Sequence, residues 1–195
     1  MLLWWSMFLS CLLPLAWLIY RVVSNDLGSD PAQELVQSTG EWGLRFLWLT
    51  LAVTPLRVWL KWKWLQSFRR MLGLYCLFYA TIHLFTFITL ILEWQWGRLY
   101  SEFLERPYIS VGVTAYLLLL PLGVTSLKTI MRRMGKRWGQ LHRSIYIVAI
   151  LAFVHLFWQV RSDYLEAVVY GTILMSLFML RLIWRWPQYF RRVNS

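Results

Sequence analysis

The chain has 195 residues, of which 59% are hydrophobic, 18% aromatic and only 15% charged. Its apolar residues come in long runs rather than amphipathic stripes, which excludes an ordinary soluble domain. The net charge of +11 could suit nucleic acid, but the charges follow the loops between apolar runs and form no binding face, so no nucleic acid partner is expected.

A bilayer core of about 30 Å takes roughly 20 helical residues to cross. Six segments approach that length, near residues 2–20, 43–60, 71–92, 108–127, 144–160 and 165–184. The expected fold is therefore all-α, a single six-helix transmembrane bundle. The first segment, opening Met1-Leu2-Leu3-Trp4-Trp5, lacks the basic start and small-residue cleavage site of a secretory signal and is read as a retained span.

The first outer loop carries a helix signature, with Asp30 as cap, Pro31 at the first helical position, Gln33 as capping-box partner and Gly40 as stop. These predict a short outer helix over residues 31–39. Segment two ends in Thr54-Pro55-Leu56-Arg57, where proline removes a backbone donor and Arg57 can snorkel to the headgroups. Arg57, Lys61, Lys63, Arg69 and Arg70 lie between segments two and three, and Lys128, Arg132, Arg133, Lys136, Arg137 and Arg143 between four and five. Arg181, Arg185, Arg191 and Arg192 close the chain. None of these regions holds an acid. All nine acids fall in the other three loops, Asp163 and Glu166 in the last of them, together with Arg21, Arg45, Arg98, Arg106 and Arg161. The excess of Lys and Arg on one side predicts one orientation throughout, with both termini cytoplasmic. Tryptophans at the segment ends, among them Trp42, Trp94, Trp138, Trp184 and Trp186, suit interfacial belts and lipid contact. Cys11 and Cys76 read as small buried hydrophobes.

There are three histidines. An imidazole inside an apolar helix must find a partner for its nitrogen or cost several kcal/mol, and an iron is one such partner. His83 lies 13 residues beyond Arg70 in segment three, about 20 Å from the inner edge; His155 lies 12 residues beyond Arg143 in segment five, about 18 Å in. Two imidazoles at one level on separate spans are what a bis-histidine b-type haem needs, so His83 and His155 are the expected iron ligands. His142 stands 13 residues before His155, and 13 steps of about 100° leave the two about 140° apart on an ideal helix. Either that helix is distorted or His142 sits just ahead of it. The residue 14 before His83, where a second inner haem would seek its other ligand, is Arg69, which does not ligate iron. A quinone or flavin near His142, Arg69, Arg137 and Trp138 is an equal alternative. No internal repeat and no glycine-rich phosphate loop is evident. Any nucleotide-using step belongs to another chain.

The sequence resembles the MsrQ (YedZ) family, the haem-binding membrane subunits of the periplasmic protein-methionine-sulfoxide reductase system. The motifs that carry the likeness are Gly28-Ser29-Asp30-Pro31, Thr54-Pro55-Leu56, Arg69-Arg70-Met71-Leu72-Gly73, Thr81-Ile82-His83-Leu84, Arg106-Pro107-Tyr108, and Gly135-Lys136-Arg137-Trp138 through Leu141-His142 with His155 beyond. More distantly the chain is similar to the transmembrane part of ferric reductases, whose paired-histidine haems cross a six-helix bundle. The resemblance implies a multi-pass protein of the bacterial inner membrane that takes electrons from the quinone pool and passes them to a periplasmic molybdenum-containing partner, MsrP. It also implies bound FMN, for which the basic inner residues 128–143 are the expected surroundings. The chain would then be the electron-transfer subunit of an oxidoreductase system, not its catalytic subunit. The alternative is a free-standing transmembrane ferric or oxygen reductase.

Overall fold

The computed structural model describes residues 2–160 and 164–193, of which 184–193 by backbone alone. The charges expected at Arg161 and Asp163, and the side chains of Trp184, Arg185, Trp186, Arg191 and Arg192, lie outside the described residues. All regular structure among the described residues is helical: α1 (Leu2–Ser10), α2 (Leu13–Val23), α3 (Pro31–Trp59), α4 (Gln66–Thr86), α5 (Trp96–Glu105), α6 (Pro107–Val124), α7 (Lys128–Met134), α8 (Lys136–Leu141), α9 (Ile145–Gln159) and α10 (Leu165–Val193). Five stretches are long and apolar enough to cross a membrane: Leu2–Val23, Lys63–Ile91, Pro107–Val124, Lys136–Gln159 and Leu165–Ile183. The expected segment over residues 43–60 is not among them. It lies inside α3, which also carries Glu34, Glu41, Arg45 and Arg57.

Pro14 breaks the first stretch into α1 and α2, because it has no N–H for the Ser10 carbonyl and its ring crowds that turn. The phenol of Tyr79 from α4 fills the break. It donates to the Cys11 carbonyl at 2.9 Å and accepts from the Leu15 N–H at 3.1 Å, inserting itself where the helix would otherwise bond Leu15 to Cys11. Tyr75, one turn earlier, donates to the Phe8 carbonyl at 2.8 Å. Phe46 of α3 stacks against both tyrosines, at 5.5 and 5.2 Å between centroids. The core is built on the kinked first helix, α3 and α4, and continues through Leu119 and Leu122 of α6, Val148 and Ala149 of α9 and Tyr170, Leu174 and Leu177 of α10.

Asp30 caps α3 through the Gln33 N–H at 3.0 Å, as expected. Gly40 does not stop it: instead of a short helix over 31–39, one helix runs 29 residues from Pro31 to Trp59, through Pro55 as well. The glycine serves a neighbour instead. The loops expected at residues 93–106 and 128–143 are also mostly helical. The first contains α5, whose apolar and polar residues segregate to opposite faces, as in a helix lying along an interface. The second contains α7 and α8, hinged at Gly135, which has φ +52°. Cys11 and Cys76 are buried and free, as expected.

The tightest packing is between α3 and α4 and next between α6 and α9. Gly43 lies in the first contact, where a Cβ would stand 3.4 Å from the Ala80 backbone nitrogen, so there is room for a methyl but nothing larger without a shift. Around this interior the outward faces are apolar and exposed, with Trp17 at 61% and Phe85 at 58%, the surface that lipid rather than water would cover.

Candidate haem-binding site

The two helix pairs each present one histidine to the space between them. His83 from α4 and His155 from α9 face one another with ring centroids 6.1 Å apart and planes at 77°. Each is anchored at Nδ1. His83 Nδ1 lies 2.8 Å from the Val36 carbonyl on α3, and His155 Nδ1 lies 2.6 Å from the Tyr108 carbonyl on α6. A carbonyl can only accept, so Nδ1 carries the proton in both rings and Nε2 keeps its lone pair. That lone pair is what a metal takes up.

Each ring lies against a glycine. A Cβ on Gly40 would come within 2.9 Å of His83 Nδ1 and 3.0 Å of its Cε1; a Cβ on Gly112 would come within 2.6 and 2.7 Å of the same atoms of His155. The Nδ1 edges therefore face their glycines, and the Nε2 edges point away from the helices that hold them. Both rings are half-buried, with Tyr108 packing at 5.9 Å on His155.

The separation tests what could sit between them. With a metal–imidazole bond of about 2.0 Å and a ring radius of roughly 1.1 Å, two axial imidazoles on one metal place their centroids about 6.2 Å apart. The observed 6.1 Å fits. Among the described residues no group of three or more His, Cys, Asp or Glu could hold a bare metal ion. Two opposed imidazoles suit an iron whose other four ligands come with it, as in haem. When bound, such a group supplies a one-electron redox centre. The protein's part is to supply the two nitrogens, fix their tautomer and keep the surroundings apolar.

At the inner end the structure gathers three of the four residues expected there. His142 opens a 3-10 turn, His142–Ser144, just ahead of α9, which resolves the spacing that would have turned it away from His155. Its Nε2 lies 3.1 Å from Thr125 Oγ1, and its ring stacks on Trp138 at 4.0 Å. Trp138 Nε1 donates to the Thr125 carbonyl at 2.9 Å. Arg69 stands near enough to act on His142 electrostatically. Arg137 is exposed on α8 and is not drawn into this cluster.

Gly40, Gly112, Val36, Tyr108 and Thr125 were missed as site residues, and the sequence holds a signal that finds most of them. Tyr108, Gly112 and His155 each lie 72 residues after Val36, Gly40 and His83, and the two histidine-to-carbonyl separations are both 47 residues. Ala80-Thr81-Ile82-His83-Leu84-Phe85 repeats as Ala152-Phe153-Val154-His155-Leu156-Phe157, and, one residue out of that register, Leu51-Ala52-Val53-Thr54 as Leu122-Gly123-Val124-Thr125. Contrary to the expectation of no internal repeat, α3–α4 and α6–α9 are two versions of one helix pair. Matched histidine depth follows from that duplication.

Residues 39–153 match the model of the ferric reductase like transmembrane component. A protein of Xanthomonas oryzae pv. oryzae (strain MAFF 311018), described as protein-methionine-sulfoxide reductase heme-binding subunit MsrQ, is 47% identical over 161 residues, 83% of this chain and 74% of that protein. The subunit of the same description from Xanthomonas euvesicatoria pv. vesicatoria is 46% identical over 169 residues, covering 87% and 77%. That of Herminiimonas arsenicoxydans is 38% identical over 185 residues, covering 93% and 85%. No solved structure matches.

Proposed function

Because the chain belongs to the MsrQ family of heme-binding subunits of protein-methionine-sulfoxide reductase, with a ferric-reductase-like transmembrane component, we propose that His83 and His155 bind one b-type haem and that the protein is a membrane electron-transfer subunit. In this reading it takes electrons from the quinone pool or a flavin donor on the cytoplasmic side. It delivers them to a periplasmic molybdenum-containing reductase, MsrP, that repairs oxidised methionine in other proteins. Six spans, with α3 counted as the second, put both termini in the cytoplasm and the protein in the bacterial inner membrane. The basic residues between α3 and α4 and in α7 and α8 then face the cytoplasm, as the positive-inside rule requires.

The observation that carries the reading is the pair of opposed imidazoles, 6.1 Å between centroids, each with Nδ1 tied to a backbone carbonyl. On the inner side, His142, Trp138, Arg69 and Arg137 are the residues proposed to meet a quinone or FMN. Thr125 already holds the His142 ring at one nitrogen, and the indole covers one of its faces. That arrangement supports a donor that contacts the remaining edge of the ring.

The test is to purify the full chain and quantify haem and flavin per polypeptide in wild type and in His83→Ala, His155→Ala and His142→Ala. The b-type absorbance collapses in the first two variants. Undiminished haem in either would overturn the assignment. Turnover with reduced quinone or flavin that depends on the soluble partner separates the electron-transfer subunit from a free-standing reductase.

A further inference from the structure

On a helix the Cβ tilts toward the N-terminus, so the side chain at position i+4 covers the carbonyl of residue i. A ring from a neighbouring helix reaches that carbonyl only where i+4 has no Cβ. Val36 and Gly40 are so related on α3, and Tyr108 and Gly112 on α6. One turn inward, Gly43 on α3 and Ala115 on α6 keep each contact face small, opposite Ala80 and Ala152 in the duplicated frame. Both histidines thus enter a socket of the same design, with a glycine as floor and a carbonyl as latch. The carbonyl latch at Val36 is shared, for Thr39 Oγ1 also donates to it at 2.9 Å.

We propose that Gly40 with the Val36 carbonyl, and Gly112 with the Tyr108 carbonyl, are matched positioning sockets that hold the two imidazole planes nearly perpendicular and set the potential of the haem bound between them. This rests on the ligand assignment above. A floor contact along the Nδ1 edge and a latch at Nδ1 leave a ring little freedom to rotate about the direction of its Nε2 lone pair. The 77° between the planes is therefore built into the two helix pairs. The Nδ1–H···O=C bond also makes each imidazole a stronger donor, which favours ferric over ferrous iron. Neither glycine nor carbonyl touches the metal, so these are positioning residues.

The test uses the full-length haem-loaded protein, with Gly40→Ala, Gly112→Ala and the control Gly97→Ala, whose added Cβ meets nothing within 4 Å. In wild type and the control, ferric EPR gives the highly anisotropic low-spin signal of near-perpendicular imidazoles. In each socket variant the new methyl lifts the ring from its carbonyl. The largest g value then falls, and the midpoint potential rises by the equivalent of about tenfold in ferric preference, ~59 mV for one electron. Unchanged g values and potential in both socket variants overturn the proposal. So does a rhombic, near-parallel signal in wild type, a readout that holds even if a variant fails to fold. Full haem in His83→Ala and His155→Ala would remove the ligand assignment and this inference together. Normal haem loss there, with silent glycine variants, removes this inference alone.

Discussion

Replacing Tyr79 by Phe deletes one oxygen atom and should destabilise the fold far more than most surface changes. The hydroxyl bridges the Cys11 carbonyl and the Leu15 N–H, two backbone groups of one helix that Pro14 prevents from meeting directly. The ring is 1% exposed and keeps its contacts with Phe46 and Phe78 in the variant, so packing is nearly unchanged and the loss is polar. Each buried backbone group left unpaired costs about 1–3 kcal/mol, and intramembrane hydrogen bonds measure somewhat lower, near 0.6–1.7 kcal/mol. Two such groups give about 2 kcal/mol for Tyr79→Phe. Tyr75→Phe removes a single bond to the Phe8 carbonyl and should cost about half as much. Reversible unfolding of the purified protein in mixed detergent measures both. The sharper assay is the double-mutant cycle with Pro14→Ala. Without the proline the helix can close on itself and Leu15 can bond Cys11 directly, so Tyr79→Phe becomes cheaper by about 1 kcal/mol in that background. A Tyr79→Phe cost below about 0.5 kcal/mol, or equal costs with and without Pro14, would refute the reasoning.

Thr125→Val, nearly isosteric, removes the hydroxyl that meets His142 Nε2; it should cost about 1 kcal/mol and leave the b-type absorbance intact, and loss of that absorbance would show that the two ends of the bundle are not separable. Gly43→Leu forces α3 away from the Ala80 backbone and should lower stability by about 1–3 kcal/mol, measurable as a drop in Tm with haem still bound.

The chemistry was legible in the sequence because intramembrane histidines are conspicuous: His83 and His155 stand at one depth by simple counting, and the structure brings their rings to 6.1 Å between centroids. What counting could not supply was the partner of each ring. Gly40 follows a capped, polar stretch and so reads as a helix stop, yet in a bundle a glycine also admits a neighbour's side chain, and here that use wins. The same ambiguity hid α5, α7 and α8. Charged stretches between spans read as loops by composition, while at a membrane surface short helices satisfy their own backbone and lay one face on the lipid. The repeat is faint in the sequence because it preserves only scattered residues, chiefly those around the two histidines and the glycines they lie against.

The duplication also explains why the two ends of the bundle differ. In the 72-residue register that pairs His83 with His155, the counterpart of His142 in the first pair is Arg70, whose guanidinium cannot ligate a metal. The threonines tell the same story. Thr125 Oγ1 engages His142, whereas Thr54 Oγ1, one residue out of the 72-residue register, is buried with no hydrogen-bond partner. One end of the bundle is thus two-sided, an imidazole from each pair, and the other one-sided, with the single imidazole of His142 stacked on Trp138. A ligand that demands two opposed nitrogens therefore fits only the level of His83 and His155, while the His142 end offers one imidazole with an indole over its face.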